Sequence, residues 1–375
     1  MMKTFKSGEL IQRLEYQSFE PALINRQWEM DDTSMLNALS KADRQIGRLD
    51  MFSEYVPDLD LFIRMHITKE ANKSSRIEGT QTEFEEALLP EEEVLLERRD
   101  DWHEVNNYIT AMNHALEALG DIPFSNRLLQ DSHAILMQGV RGEQKTPGEY
   151  RLSQNWIGGS NPSNARFVPP HQENVSVLMG DLEMFAHNSN IEVPELIKIG
   201  IMHYQFETIH PFLDGNGRIG RLMIPLYLIS KGILKQPVLY LSDYLERHRD
   251  EYYERLTRVR EHNDLAGWLH FFLDGISETA ESGIQTFDKI LQFQRHWEAE
   301  IASWKPKSAH NLTFFKTLFQ NPIVSANKVA SLVGVSQPSA YNLINRFTDC
   351  GLLKELTGQS RGKLYGFDAY LALYK

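Results

Sequence analysis

The sequence predicts a mainly α-helical protein with one β-hairpin excursion and a small winged-helix domain at its C-terminal end. Three observations predict it. Apolar residues recur at helical spacing in successive blocks from Ser34 to about Trp304. Residues 140 to 172 interrupt them with Pro147, Gly148, Gly158, Gly159, Pro162, Pro169 and Pro170. Beyond Pro306 the charge balance reverses. The 375-residue chain has a formal net charge of −12, yet there Lys316, Lys328, Arg346, Lys354, Arg361, Lys363 and Lys375 outnumber Asp349, Glu355 and Asp368.

The length implies two or three domains. A single cysteine, Cys350, excludes an internal disulfide framework and a cysteine zinc site. The acidic balance argues against a chain that binds nucleic acid or membrane over its whole surface. No run approaches the ~18 apolar residues of a membrane span, and the N-terminus lacks the apolar core of a signal peptide. A soluble, cytoplasmic protein with no membrane partner is expected.

Residues 1 to about 30 show no clear period and read as a partly ordered arm. Leu36, Leu39, Ala42, Ile46 and Leu49 predict an amphipathic helix over 34–51. The next helix begins near Pro57, carries Leu59, Phe62, Ile63 and His66 on one face and ends near Lys73. Gly79 reads as a helix stop and Thr82 as the cap of the following helix, with Glu85 as its capping-box partner. Glu78 therefore lies at a helix end. An acidic helix pair should follow, with Glu85, Glu86, Glu91, Glu92, Glu93 and Glu97 on a solvated face. Trp102, Val105, Ile109, Met112 and Leu116 then predict a helix over 101–119, and another spans 125–139.

Within the Pro- and Gly-rich stretch, Asn155 to Ile157 and Arg166 to Val168 are extended candidates joined by Gly-Gly-Ser-Asn-Pro-Ser-Asn. They read as a hairpin flap over about 153–170, an exposed ribbon on which a second substrate could dock. Helices follow over 173–188 and 193–208, the latter with His203 buried. A helix after Gly215 should kink at Pro225 and stop at Gly232. Tyr244 to Glu261 and Leu265 to about Trp304 complete the body. The tail reads as helices over 311–319, 325–333 and 337–350 and strands over 352–356 and 364–367, a winged helix-turn-helix pattern. The implied division is an N-terminal helical region over 1–100, a core over 101–300 and the tail domain over 308–375.

The chemistry concentrates in His210 to Leu222. Gly215, Gly217 and Gly220 surround Asn216, so backbone N–H groups can face an anion without obstruction. Ile219, Leu222, Met223 and Leu226 then recur at helical spacing, which places the loop at a helix N-terminus, where the dipole also favours an anion. Arg218 and Arg221 share a face of that helix, and like charges so placed repel by about 0.2–0.5 kcal/mol unless an anion lies between them. His210 and Asp214 would make a metal pair on a helix, but a third ligand is hard to find, which speaks against a zinc hydrolase. Asp214 beside phosphates suits Mg²⁺, a hard cation that shares its shell with substrate oxygens. His210 is then free to act as a general base.

His210 to Arg221 resembles the signature of the Fic family, His-Pro-Phe-x-[Asp/Glu]-Gly-Asn-Gly-Arg-x-x-Arg, at every fixed position. Ser74 to Gly79, over 74–79, is similar to the family's inhibitory motif, Ser/Thr-x-x-x-Glu-Gly/Asn, and the flap matches in position. The resemblance covers roughly residues 20 to 300. It implies a Fic-type helical bundle that transfers AMP from ATP to a Tyr, Ser or Thr hydroxyl of a target protein, with autoadenylylation as a side activity.

Carried over residue by residue, the resemblance makes His210 the catalytic base and Asp214 the Mg²⁺ ligand. Gly215, Asn216 and Gly217 supply the anion cradle, within an ATP-binding stretch that runs on through Arg218, Ile219, Gly220 and Arg221. Arg218 would hold the β-phosphate and Arg221 the γ-phosphate. Asn155, Trp156, Ile157 and Gly158 align with the flap segment that pairs with target backbone and lines the nucleotide site. Tyr252 and Tyr253 resemble the adenine-side tyrosines, although an expected asparagine after them does not align. Glu78, with Ser74, would inhibit by pairing with Arg221. Release would come from loosening of the N-terminal helix or from loss of a homodimer contact.

A competing reading is a nucleotide-sensing, DNA-binding transcriptional regulator. Ser336, Gln337, Ser339, Tyr341, Asn342 and Asn345 offer polar groups on the tail's candidate recognition helix, with Arg361 and Lys363 on the wing. Only Arg346 adds a cation to that helix, so phosphate contacts would be few. A protein partner for the winged helix is the other expectation.

Overall fold

The computed structural model describes residues 5–29, 32–55, 59–140, 144–358 and 362–374. Pro57, Arg361 and Lys375 therefore lie outside the described residues, as does the side chain of Leu59. Among the described residues no helix is long and apolar enough to cross a membrane.

The chain begins with a hairpin where an arm was expected. β1 (Gly8–Gln12) pairs antiparallel with β2 (Gln17–Pro21). Distant partners hold it: Phe19 N–H donates to the Val168 carbonyl, and Ser7 N–H and hydroxyl donate to Asn263 Oδ1.

α1 (Thr33–Tyr55) packs along the long α10 (Leu265–Ser303), while α2 (Leu59–Ile77) packs against α3 (Arg99–Ala118). Glu78 and Gly79 follow α2 directly, as expected. The acidic helix pair is replaced by three short 3₁₀ turns, Glu86–Leu88, Glu91–Glu93 and Leu96–Arg98. Pro90 explains the break, because the residue before a proline is pushed out of helical conformation, and Leu89 is extended at φ −71°, ψ 150°. Thr82 caps nothing. Its carbonyl instead accepts from Asn72 Nδ2 at 2.6 Å.

α4 (Asn126–Leu136) is capped by Ser125, whose hydroxyl accepts from Leu128 N–H. α5 (Val175–His187) leads to α6 (Glu195–Ile209), which is buried on every side from Leu196 onward. α7 (Asn216–Ser230) runs through Pro225 without a break and ends before Gly232. The single helix expected over 244–261 is two, α8 (Ser242–Arg247) and α9 (Arg249–His262), divided at His248, which packs on the Tyr244 and Phe271 rings. No proline or glycine marks that division in the sequence.

The C-terminal part contains α11 (Ala309–Gln320), β3 (Ile323–Ser325), α12 (Ala326–Val333), α13 (Gln337–Asp349), β4 (Lys354–Glu355), β5 (Leu364–Gly366) and α14 (Asp368–Leu371). Its strands form an antiparallel sheet in the order β3-β5-β4. A final turn, Ala372–Tyr374, returns to the body and sets Tyr374 against His66 of α2 and Phe84, with ring centroids 5.3 and 6.0 Å apart.

Candidate active site

α6 and α7 bring the site together, and the six residues between them, 210–215, form the turn. His210 ends α6 in left-handed conformation, φ 50°, its N–H still donating to Phe206. Phe212 is wholly buried and stacks on His133, with centroids 3.8 Å apart and rings 6° from parallel. Asn216 ties the turn shut: its Oδ1 accepts from Phe212 N–H and its Nδ2 donates to the Phe212 carbonyl, both at 2.8 Å. Its amide is therefore spent on the turn.

Around this turn lies a cleft of about 1280 Å³. His210, Asp214, Gly215, Asn216, Gly217 and Arg221 line its floor, Glu78 one side, and Trp156, Ile157 and Gly158 the flap side. Tyr253 and Arg260 of α9 form a further wall. The N-terminal hairpin closes the remaining side, and Ser163 at the flap tip donates to the Glu15 carbonyl. The flap has one bridge, Ile157 to Phe167, rather than a ladder, because Asn161 caps a 3₁₀ turn over Pro162–Asn164.

Burial lowers the His210 imidazole to about 4, outweighing the nearby Glu78 charge that raises it. The ring is consequently neutral at pH 7 and able to accept a proton. Arg221 is 98% buried, and its guanidinium is fully engaged on one side. Nε donates to the Ser74 hydroxyl at 2.9 Å, while Nη2 donates to the Ser74 carbonyl at 2.9 Å and Glu78 Oε1 at 2.5 Å. Burial raises the Glu78 carboxyl, but Arg221 beside it holds it below the usual range. Two glycines make this packing feasible. A Cβ on Gly217 would collide with Glu78 and come within 2.9 Å of Arg221 Nη1, and one on Gly220 would strike the Glu207 carboxyl.

Asp214 Oδ1 accepts from Gly215 N–H at 2.7 Å and Oδ2 from Lys145 Nζ at 2.8 Å. Burial raises this carboxyl, and the Lys145 hydrogen bond with the Gly215 N–H brings it net below its ordinary value. It is a charged hard-oxygen donor at the cleft, with one oxygen on an exposed amine. Among the described residues no group of three or more metal-binding side chains gathers. That donor set fits a cation that completes its shell from phosphates and water, as Mg²⁺ does.

Other sequence-predicted residues sit behind the cleft. Arg218 points away from it, with Nη1 donating to Glu104 Oε2 at 3.1 Å and both side chains nearly inaccessible. Ile219 is core. Gly220 packs on Phe206 and Glu207. The Asn155 amide donates to the carbonyls of His210 and Phe212 at 3.1 and 3.0 Å, so it braces the turn. Tyr252 is buried with its hydroxyl on His203 Nε2 at 2.8 Å, and His203 Nδ1 meets the Gly220 carbonyl. Since that carbonyl can only accept, Nδ1 carries the proton and Tyr252 donates. Only Tyr253 of the pair reaches the cleft.

Sequence reasoning missed four supports. Arg151 holds the His210, Ser153, Pro170 and Ile209 carbonyls. His133 links Gly148 N–H to the Asp214 carbonyl. Lys145 pairs with Asp214. Glu207 lies one turn before His210, on a helix buried all round, which gave it no distinguishing period.

The fold and the turn define a helical protein with a glycine-rich loop at the N-terminus of a buried helix. Residues 36–117 match the N-terminal model of the Fic/DOC family and residues 123–228 the Fic/DOC family model itself, together half of the chain, which belongs to that family. Over 135 residues it is 32% identical to protein adenylyltransferase Fic of Aedes aegypti and 30% identical to that of Culex quinquefasciatus. Each match takes in 36% of this chain and 24% of the relative, so the chain spans about a quarter of their length. A Fic family protein from Desulfovibrio desulfuricans G20 shares the fold at a TM-score of 0.57 and 20% identity, covering 91% of this chain and 98% of that one.

Proposed function

We propose that the cleft transfers AMP from ATP to a Tyr, Ser or Thr hydroxyl of a target protein, releasing pyrophosphate. The observation that carries this is His210, held neutral by burial, on a glycine-rich turn at the start of α7 whose buried Arg221 is paired with the Glu78 carboxylate. His210 takes the proton of the acceptor hydroxyl as its oxygen attacks the α-phosphorus and the bond to the β-phosphate bridging oxygen breaks. The N–H groups of Gly215, Asn216 and Gly217 and the dipole of α7 receive the phosphates. Mg²⁺, held by Asp214, supplies charge neutralisation on the phosphate oxygens. The target's extended segment docks beside Trp156 and Ile157 of the flap.

In this reading Glu78 autoinhibits, because it occupies on Arg221 the place a γ-phosphate needs. Arg218 contributes through structure, by its buried pair with Glu104, rather than by holding the β-phosphate. Residues 308–375 serve as a winged-helix docking module. Its first three helices, α11 to α13, and the β3-β5-β4 sheet support that assignment, and Ser336, Gln337, Ser339, Tyr341, Asn342 and Asn345 are all exposed on or beside α13. Arg346 is not free for DNA phosphates, since it stacks 4.5 Å from the Trp304 ring and donates to the Lys305 carbonyl. A protein partner is favoured, and a salt-dependent shift of duplex DNA by the full chain would reverse that choice.

Labelled ATP with cell lysate tests the main reading. Glu78→Gly should raise label transfer and autolabelling, and His210→Ala in that background should abolish both. Equal labelling with and without Glu78 would remove autoinhibition, and mass spectrometry showing added phosphate instead of AMP would overturn the transfer type.

A further inference from the structure

Glu207 is an anomaly of the cleft that AMP transfer leaves unused. It lines the floor one helical turn before His210 and is 93% buried, yet its Oε1 has no hydrogen-bond partner among the described residues. A buried polar atom left unpaired is costly, and α7 carries glycine at position 220 where any Cβ would overlap this carboxyl. The site therefore preserves room for a group it does not satisfy.

The surroundings indicate what would satisfy it. Arg221 of α7 and Arg260 of α9 face it with positive charge, Glu78 with negative charge, and Tyr252 and Tyr253 lie within the same field. Neither arginine binds it. Arg221 is held by Ser74 and Glu78, and Arg260 lies over the Phe167 ring at 3.9 Å. Burial pushes the Glu207 carboxyl up to about 7, with the Glu78 charge adding to the rise and the two arginines opposing it. At neutral pH a large share of it carries a proton and is a hydrogen-bond donor.

We propose that Glu207 is a nucleotide-binding residue that, as a neutral acid, donates its carboxyl proton to an oxygen of the terminal phosphate seated on Arg221. This rests on the AMP-transfer reading, in which that phosphate replaces Glu78. The replacement keeps negative charge beside Glu207 and so keeps the proton on. An ionised Glu207 would repel the same phosphate. Binding ATP therefore takes up a proton when pH exceeds the pKa of the free site.

The test uses the full chain carrying Glu78→Gly, with ATP and Mg²⁺ affinity read by calorimetry and turnover by autolabelling at saturating ATP. Affinity should weaken with rising pH above neutrality, approaching about tenfold per pH unit for one linked proton, while turnover at saturation stays level. Glu207→Gln, which keeps a neutral donor, should flatten that dependence, and comparison with it cancels the titration of ATP itself. Glu207→Ala should weaken ATP at pH 7 by about tenfold, the weight of one hydrogen bond to a charged group, and leave ADP unchanged.

If Glu207→Gln follows the parent pH profile, or Glu207→Ala weakens ADP as much as ATP, the proposal falls. If the binding pattern appears but no variant labels itself or any target, the phosphate contact stands and the AMP-transfer reading fails.

Discussion

Asn216 and Phe212 close the turn between α6 and α7 by a reciprocal pair of hydrogen bonds, each 2.8 Å long, between one side-chain amide and both polar groups of one buried residue. The asparagine is thereby a structural clasp. Asn216→Ala would leave the Phe212 N–H and carbonyl without partners, at a cost of about 1–3 kcal/mol. A lowered melting temperature and lost nucleotide binding are expected together. Asn216→Asp keeps the acceptor and loses the donor, so calorimetry should place it between the parent and the alanine variant.

Arg218 and Glu104 form a pair with 4% and 7% of their side chains exposed. Removing one partner strands a buried charge, so Glu104→Ala should destabilise by about 3–5 kcal/mol. The double variant Glu104→Leu, Arg218→Met should recover much of that loss in chemical denaturation. It also decides the role of the arginine. If the double variant folds and ATP affinity is retained, Arg218 is a scaffold residue; loss of affinity in the folded protein would restore it to the phosphates.

Acid should loosen the site. Burial lowers His133 to about 4 and His203 to about 3, both from 6.5. Their folded pKa values lie below the unfolded ones, so the unfolded chain takes up protons first as pH falls. The stability these rings contribute is complete above about 6.5 and is lost progressively down to their folded values, at about 1.4 kcal/mol per pH unit for each. Protonated His133 could no longer accept from Gly148 N–H, which frees the segment carrying Lys145. Melting temperature against pH should fall steeply between 6.5 and 4, and His133→Gln should make the descent shallower.

The Fic-like turn was legible because its chemistry is contiguous: base, carboxylate, glycines and arginines lie within twelve residues, and their spacing already implies a helix terminus. Glu78 was legible through the short pattern from Ser74 to Gly79. The direction of each arginine was not, because Glu104 lies 114 residues from Arg218 and Ser74 lies 147 from Arg221. Nor did periodicity single out Glu207, since α6 is buried all round and has no solvated face to set against an inner one. The N-terminal hairpin escaped for a related reason. β1 exposes Leu10 and buries little, so what holds it is supplied by Val168 and Asn263 rather than by its own pattern.

Ser74 grips Arg221 through two nitrogens, Nε on its hydroxyl and Nη2 on its carbonyl, and Glu78 shares only the second. Withdrawal of the carboxylate therefore leaves the guanidinium where it stood, wedged beneath the glycines and aimed at the loop. If Glu78 is the plug of the proposed site, unplugging it asks for no further assembly of the cation.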